Sequence, residues 1–487
     1  MRRGVGSENE SPVGTKTPRL TLDRVWALIA IAIPAAGGLA VRMSTVDLAY
    51  HLRLGAQVLG GSFPRVDSFT FSAPGLPWTD QQWGAQILMT LAHRVDGWNS
   101  LLLVKSALIA ATFLLVFATC RGAGATARAA AGLTVAGYLV SAQNLGMRPQ
   151  LFAAPLFAAV LWISAGRREH PGRQWAIPVL VAIWCNVHGS FVLGPALVGL
   201  DWLEDLRTRS PGARRTLLIG VFSMTATVVN PFGWRVWVYA VDIATNPTVT
   251  RFASEWEPTT IRTFTGGALF ASVAGVVVFF SRRSRPVPWT TLLRLAFFFA
   301  LALPAIRGAL WWGLAAPPAL AGCLAPRPVP VGDDRRGSPV MNRIMVAAVL
   351  LGLVVTLPWW RSSDPAGISP PLLTSAPDDL VAATAGATVA GDRVWVDQVW
   401  ASWFEYRLPD RLTFADSRIE LFPDRVWTDY LDVANGREGW QAILDRWQVD
   451  VAVLSRQQSG ELLGRIAYDP GWRRVFTGDD GSVYIRT

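Results

Sequence analysis

Long apolar runs set the layout of this chain. Windows able to cross about 30 Å of hydrocarbon recur near residues 25–43, 99–120, 126–144, 150–166, 174–187, 189–203, 214–230, 265–281, 288–305, 308–325 and 341–360. Most connections between them are short, but polar segments at 44–98 and 231–264 are long. This pattern predicts a mainly α, polytopic transmembrane helical bundle of about eleven spans. After Arg361 the period changes. A Pro/Ser linker (362–377) leads to residues 378–487, whose short apolar runs fit a small soluble α/β domain. Val394-Trp395-Val396, Leu412-Thr413-Phe414 and Val449 to Leu454 read as strands, and Trp440 to Trp447 and Gly460 to Tyr468 as helices. Trp472 to Thr477 and Ser482 to Arg486 read as a hairpin closing around Gly478-Asp479-Asp480-Gly481.

Charge gives the runs a direction. With residues 1–24 taken as a cytoplasmic tail, alternate connections hold Arg121 and Arg128, then Arg167, Arg168 and Arg173, then Arg207, Arg209, Arg214 and Arg215. The same side continues with Arg282, Arg283 and Arg285, and with Arg327, Arg335, Arg336 and Arg343. Arginine-rich inner loops are what the positive-inside rule expects, and an odd number of spans leaves 378–487 on the extracytoplasmic face of the cell membrane.

Composition acts mainly by exclusion. A hydrophobic content of 51%, a charged content of 16% and a mean hydropathy of +0.30 rule out an ordinary soluble protein. The net charge of +10 could suggest nucleic acid, yet the arginines sit where topology needs them, so no nucleic-acid partner is expected. Cys120, Cys185 and Cys323 lie singly in apolar segments, which indicates neither a disulfide framework nor a cysteine metal site. Four histidines, His51, His93, His170 and His188, leave little for a histidine-rich one. The first apolar run has no Ala-x-Ala-like exit, so a cleavable signal peptide is not expected.

The polar residues that could carry chemistry gather on the outer side. Asp47 and His51 follow the first span at a spacing that stacks them on one helical face. Arg148 lies in a turn between two spans, Asn186 and His188 in another, Glu255 and Glu257 in the loop 231–264, and Arg307 between the ninth and tenth spans. Each has a plainer reading as a helix cap, a snorkelling side chain or turn punctuation. Together they are acids, imidazoles and guanidiniums beside aromatics on one membrane face. Arginine fits phosphate oxygens with a fork of donors, and a carboxylate or imidazole can take a proton from a hydroxyl. Asp416-Ser417-Arg418 in the tail reads as a salt-bridged turn before a sugar-binding one.

At this point the chain resembles the GT-C superfamily of integral-membrane glycosyltransferases. The likeness rests on an acid directly after the first span in a long outer loop, many spans, and a soluble outer C-terminal domain. More closely, Asp47-Leu48-Ala49-Tyr50-His51-Leu52-Arg53-Leu54-Gly55, Pro64-Arg65-Val66-Asp67-Ser68-Phe69-Thr70, Trp78-Thr79-Asp80-Gln81-Gln82-Trp83 and Phe414-Ala415-Asp416-Ser417-Arg418 resemble a group of bacterial membrane proteins of that type. The resemblance implies an inverting transfer of a sugar from a polyprenyl-phosphate donor, held among membrane lipid, to a glycan, lipid or protein acceptor on the outer face. Asp47 matches the family's catalytic acid and would deprotonate or orient the acceptor, with His51 positioning or sharing the proton. Arg148, His188 and Arg307 would hold the donor phosphate. Asp67, Asp80, Trp83, Asn186, Glu255 and Glu257 would bind acceptor or other substrate groups. Many members carry two adjacent acids in this loop, whereas here Val46 is the neighbour of Asp47 and the next acids are Asp67 and Asp80. A divalent cation, Mg or Mn, therefore stays open as a cofactor. The alternative is a non-catalytic polytopic protein, a lipid-linked glycan transporter or flippase, or a cell-envelope assembly factor. A transporter should carry ionisable positions near the bilayer midplane. The apolar segments are nearly free of acids, and Lys105 is the exception, snorkelling outward in this reading.

Overall fold

A computed structural model describes residues 20–324, 338–361 and 372–487. The tail up to residue 19, inner-loop residues Arg327, Arg335 and Arg336, and positions 362–371 of the expected linker lie outside the described residues.

The first half is helical: α1 (Leu22–Ala40), α2 (Thr45–Leu59), α3 (Trp83–Gly122), α4 (Ala127–Ser141), α5 (Pro149–Ala165), α6 (Ile177–Trp184), α7 (Leu193–Arg207) and α8 (Ala213–Ala226). It continues with α9 (Arg235–Thr245), α10 (Pro247–Phe252), α11 (Phe264–Ser281), α12 (Trp289–Ala302), α13 (Ala309–Ala321) and α14 (Pro339–Val355). A helix overlaps each of the eleven expected apolar windows. By length and composition α1, α3 and α11 can cross a membrane, and α5, α12 and α14 are shorter apolar helices. α3 begins well before its expected window. It is two helices run together, broken where Asp96 leaves helical geometry and Gly97 takes φ +55°, a value that favours glycine.

The helices pack closely where side chains are small. α4 and α13 meet at Gly137 and Gly313: a Cβ on Gly313 would lie 2.6 Å from the Gly137 carbonyl oxygen, and one on Gly137 would run into the Gly313 carbonyl. Small-residue contacts of this kind let backbones approach in an apolar medium, where packing rather than the hydrophobic effect drives association. Lys105 is buried in α3 and donates to the Val41 carbonyl at 2.9 Å, just beyond the end of α1. A second polar group, not anticipated from the sequence, joins Arg167 to Asp201, Glu204 and Asp205 on α7, with Arg294 of α12 bonded to Asp201 and Glu204.

The remainder forms a sheet flanked by helices. β3 (Arg393–Val396), β4 (Leu412–Thr413), β5 (Val451–Ser455), β6 (Trp472–Thr477) and β7 (Gly481–Arg486) are ordered β4-β3-β5-β7-β6. The three strands β4, β3 and β5 are mutually parallel, while β7 runs antiparallel to β5 and β6. The helices are α15 (Asp378–Ala387), α16 (Gln398–Arg407), α17 (Asp424–Ala434), α18 (Trp440–Arg446) and α19 (Gly460–Ile466). The expected strands, both expected helices and the hairpin coincide with elements here. α15, α16 and α17 were not anticipated, since short apolar runs leave helix and strand ambiguous.

The core of this sheet region is shared with the first polar segment. Tyr50, Leu54, Phe69, Phe71 and Trp78 from the first polar segment share one apolar cluster with Trp395, Phe414, Trp427 and Tyr430. Two further seams fasten the segment. β1 (Met43–Ser44) pairs in parallel with β2 (Leu373–Thr374), so residues 373–374 of the expected linker form a strand. Thr70 bridges Thr413 at the free edge of β4, with Phe71 N–H donating to the Thr413 carbonyl and Thr413 N–H to the Phe69 carbonyl. An edge strand is satisfied by such a cover.

Candidate active site

Asp47 lies in the first turn of α2, a helix capped by Ser44, whose hydroxyl accepts from Val46 N–H. The same turn is tied to the tail: Thr45 Oγ1 donates to the Thr374 carbonyl at 3.1 Å, and Ser402 and Ser417 hydroxyls both donate to the Val46 carbonyl. Asp47 is thereby aimed at Arg148, the residue before α5, and the two form an ion pair. Arg148 also pairs with Glu255, and Glu255 with Arg307 at 3.2 Å. Arg307 Nη2 lies 3.4 Å from Gln150 Oε1 and 3.2 Å from His188 Nε2, and its guanidinium rests 4.7 Å over the Trp256 ring. Four separated segments thus meet at one alternating chain of charge, with His188 at its end.

The protonation of that chain follows from its surroundings. Burial alone would raise the Glu255 carboxyl, but Arg148 and Arg307 outweigh it and hold it down at about 2. Burial, reinforced by Arg307, pushes His188 down to about 3, so its ring is neutral. The tautomer is assigned from its partners. Trp184 Nε1 donates to Ser190 Oγ, and Ser190 offers both its hydroxyl (2.8 Å) and its backbone N–H (3.1 Å) to His188 Nδ1. Nδ1 is therefore an acceptor and Nε2 carries the proton. His188 Nε2–H and Arg307 then present two donors side by side. An anionic oxygen is the group that satisfies both.

Other residues singled out from the sequence go elsewhere. His51 shares a helix with Asp47, but its buried ring accepts at Nδ1 from Gln86 Nε2 (3.2 Å), which also donates to Asp80 Oδ1 (2.7 Å). Burial, then Arg148 and His188, holds His51 well below its ordinary range. Asp80 is 1% exposed, and burial pushes its carboxyl up to about 7 despite the Gln86 bond. Asp67 is fully engaged: it accepts from Thr70 N–H and Oγ1 and from Arg418 Nη2 at 2.6 Å, and Arg418 also binds Asp416 at 2.6 Å. Asp416-Ser417-Arg418 is thus a buried ion-paired turn that clamps the first polar segment. Trp83 Nε1 donates to Asn186 Oδ1 at 3.0 Å, while Asn186 Nδ2 donates to the Ala182 and Val229 carbonyls, a staple between the start of α3 and the end of α6. Glu257 is exposed, and its backbone carbonyl accepts from Ile306 N–H.

Four residues at the site had no sequence signal of their own. Gln86 and Gln150 are glutamines in the first turns of apolar helices. Tyr239 and Glu420 meet across 181 positions, with the Tyr239 hydroxyl donating to Glu420 Oε1 at 3.1 Å. A hint existed for two of them: Gln150 is an amide at the start of an apolar run, and Glu420 is an acid two residues beyond the Asp416-Ser417-Arg418 turn.

Among the described residues no group of three or more His, Cys, Asp or Glu is arranged to hold a metal ion. The guanidinium of Arg148 sits between the Asp47 and Glu255 carboxylates, where a cation would have to lie. The residues present in this arrangement therefore do not fit a bound Mg or Mn.

No protein-family model matches the chain, and no curated protein matches it either. Solved structures do. The oligosaccharyltransferase AglB from Archaeoglobus fulgidus, in complex with an inhibitory peptide and a dolichol-phosphate, is similar over 95% of this chain and 74% of its own, with a TM-score of 0.56 and 11% identity. ArnT from Cupriavidus metallidurans, bound to undecaprenyl phosphate, is similar over 95% of this chain and 97% of its own, with a TM-score of 0.53 and 14% identity. At such identities the likeness is one of fold.

Proposed function

We propose that this chain, which has the GT-C fold in a multi-pass membrane protein, is a membrane glycosyltransferase that moves a sugar from a polyprenyl-phosphate donor to an acceptor on the extracytoplasmic face. In this reading about eleven segments cross the bilayer, the N-terminus is cytoplasmic, and residues 378–487 stand on the outer side. The observation that carries it is the run Asp47, Arg148, Glu255, Arg307, which ends in the paired donors of Arg307 and His188.

Arg307, His188 and Arg148 receive the donor phosphate. Arg148 keeps 40% of its side chain exposed, so a phosphate oxygen can reach it. As the phosphate takes Arg148, Asp47 loses its partner and is freed to act as base. Asp47 takes the proton of the acceptor hydroxyl, and the acceptor oxygen bonds to the anomeric carbon from the face opposite the phosphate. The bond from that carbon to the phosphate oxygen breaks, and polyprenyl phosphate leaves with its charge held by the guanidiniums. Donor and base are thus coupled through one arginine. Fixed charges placed where charge develops cost no reorganisation at the moment of reaction.

The test is transfer by Asp47→Asn in membranes. Loss of about 10²–10⁴-fold is expected for a positioned base, with insertion and thermal stability kept. Normal insertion with undiminished transfer would remove the mechanism.

A further inference from the structure

A cleft of about 260 Å³ lies between α10 and α17, outside the run of charge described above. Its two walls come from distant parts of the chain, and both adjoin the site. α10 ends at Phe252, three residues before Glu255, so at most about 11 Å separates their Cα atoms. α17 begins at Asp424, four residues after Glu420, the partner of Tyr239. Thr248 Oγ1 donates to Asp424 Oδ1, and Phe252 stacks on Trp427 with ring centres 4.9 Å apart and planes 22° from parallel. The walls are thus fastened to each other, and the space between them is set before anything enters.

The lining decides what fits. Arg251 and Arg437 supply donors, Asp424 and Asp432 supply acceptors, and the Thr428 hydroxyl stands between them in kind. Arg437 is bonded to Asp432 at 2.7 Å, an exposed pair of the sort that contributes little and opens readily. Arg251 has no carboxylate partner among the described residues. The charges balance, so a lone phosphate or a lone cation would meet two groups of its own sign. A lipid tail would set four charges against hydrocarbon. A peptide docks by adding a strand to a free sheet edge or by laying an apolar helix face into an apolar groove. Both walls here are helices, and the apolar lining is limited to Pro247, Phe252 and Leu431. A sugar hydroxyl both gives and takes, so adjacent hydroxyls of one ring meet a guanidinium and a carboxylate together while its C–H face lies against Phe252.

We infer that the cleft between α10 and α17 holds a sugar ring of an oligosaccharide acceptor. The inference rests on the proposed sugar transfer and names the acceptor class as a glycan of two or more rings. Asp47 is linked to Glu255 only through Arg148, so the ring in the cleft is a neighbour of the reacting ring and positions it.

The test is binding by the full chain in lipid nanodiscs with no sugar donor present. The probes are linear oligosaccharides of hexoses, N-acetylhexosamines or pentoses, a capped tetrapeptide, and bare undecaprenyl phosphate. At least one oligosaccharide should bind saturably. Arg251→Met removes a donor, and Thr428→Arg fills the cleft. Each should weaken that binding about tenfold or more and leave the affinity for undecaprenyl phosphate within twofold. Both positions are exposed, and either variant suffices if the other fails to fold. Oligosaccharide and undecaprenyl phosphate should also bind at the same time. If each displaces the other, the sugar occupies the arginine site and the proposal falls. It falls equally if no oligosaccharide binds, if only the peptide does, or if both variants bind as the unchanged protein does. Failure here is separable from failure of the catalytic reading, because Asp47→Asn reads transfer and this experiment reads only binding.

Discussion

Arg148 joins what the sequence showed as scattered parts. The sequence presents Asp47, Arg148, His188 and Arg307 as polar groups at the ends of apolar runs, because run ends and charges are written locally in the chain. Their pairing was not visible. That Glu255 sits between two arginines, that His51 turns to Gln86, and that Arg418 occupies Asp67 depend on contacts across 35 to 351 positions. No local spacing encodes such contacts. Asp80 offers a check at this scale. Its carboxyl is pushed up to about 7 in the folded protein, whereas the unfolded chain holds an ordinary carboxyl near 4. The folded state therefore keeps the proton more tightly. On this account stability is greatest below about pH 4 and falls as pH rises through 7, by on the order of 4 kcal/mol. Asp80→Asn should abolish that fall, seen as a thermal midpoint in detergent that drops less between pH 5 and pH 8 than in the unchanged protein. Comparing the two proteins separates Asp80 from His188. The ring of His188, held down at about 3, contributes stability that is lost as pH falls below about 6.5.

Among the elements, the apolar windows were the most legible part of the chain, because a helix in lipid needs a long run of one kind of residue. The early start of α3 was not legible. Residues 83–95 carry Gln86, His93 and Arg94 and read as loop, yet they are helical because they pack beside α2, where Thr90 donates to the Leu52 carbonyl. The Gly137 and Gly313 contact gives a prediction about packing. Gly313→Ala would set a methyl against the Gly137 carbonyl and the Ser141 hydroxyl and force α4 from α13. We expect a loss of about 1–3 kcal/mol, as overpacking typically costs, read as a lowered midpoint of thermal unfolding. Gly132→Ala, on the same helix α4 with open space around it, should be neutral or slightly stabilising.

For the whole molecule, the sheet region and the first polar segment are one body in all but chain order. Their shared aromatic core, the β1–β2 pair, the bridge at Thr413 and the Arg418 clamp all join residues 43–78 to residues beyond 372. The sequence suggested a separate tail because separation along the chain was all it could display. Arg418→Met tests the clamp. It leaves Asp67 and Asp416 buried without their cation, which should cost about 3–5 kcal/mol. Limited proteolysis should then release the tail far faster than in the unchanged protein. The joining also has a meaning in time. The turn that carries Asp47 is held by Thr374, Ser402 and Ser417, residues made after every helix of the membrane region. During synthesis the helices can therefore be complete while Asp47 still has no fixed place. Under the proposed function, the chain stays silent until its last quarter has emerged and folded back, so a product cut short by a stalled ribosome or a protease would occupy membrane without transferring sugar.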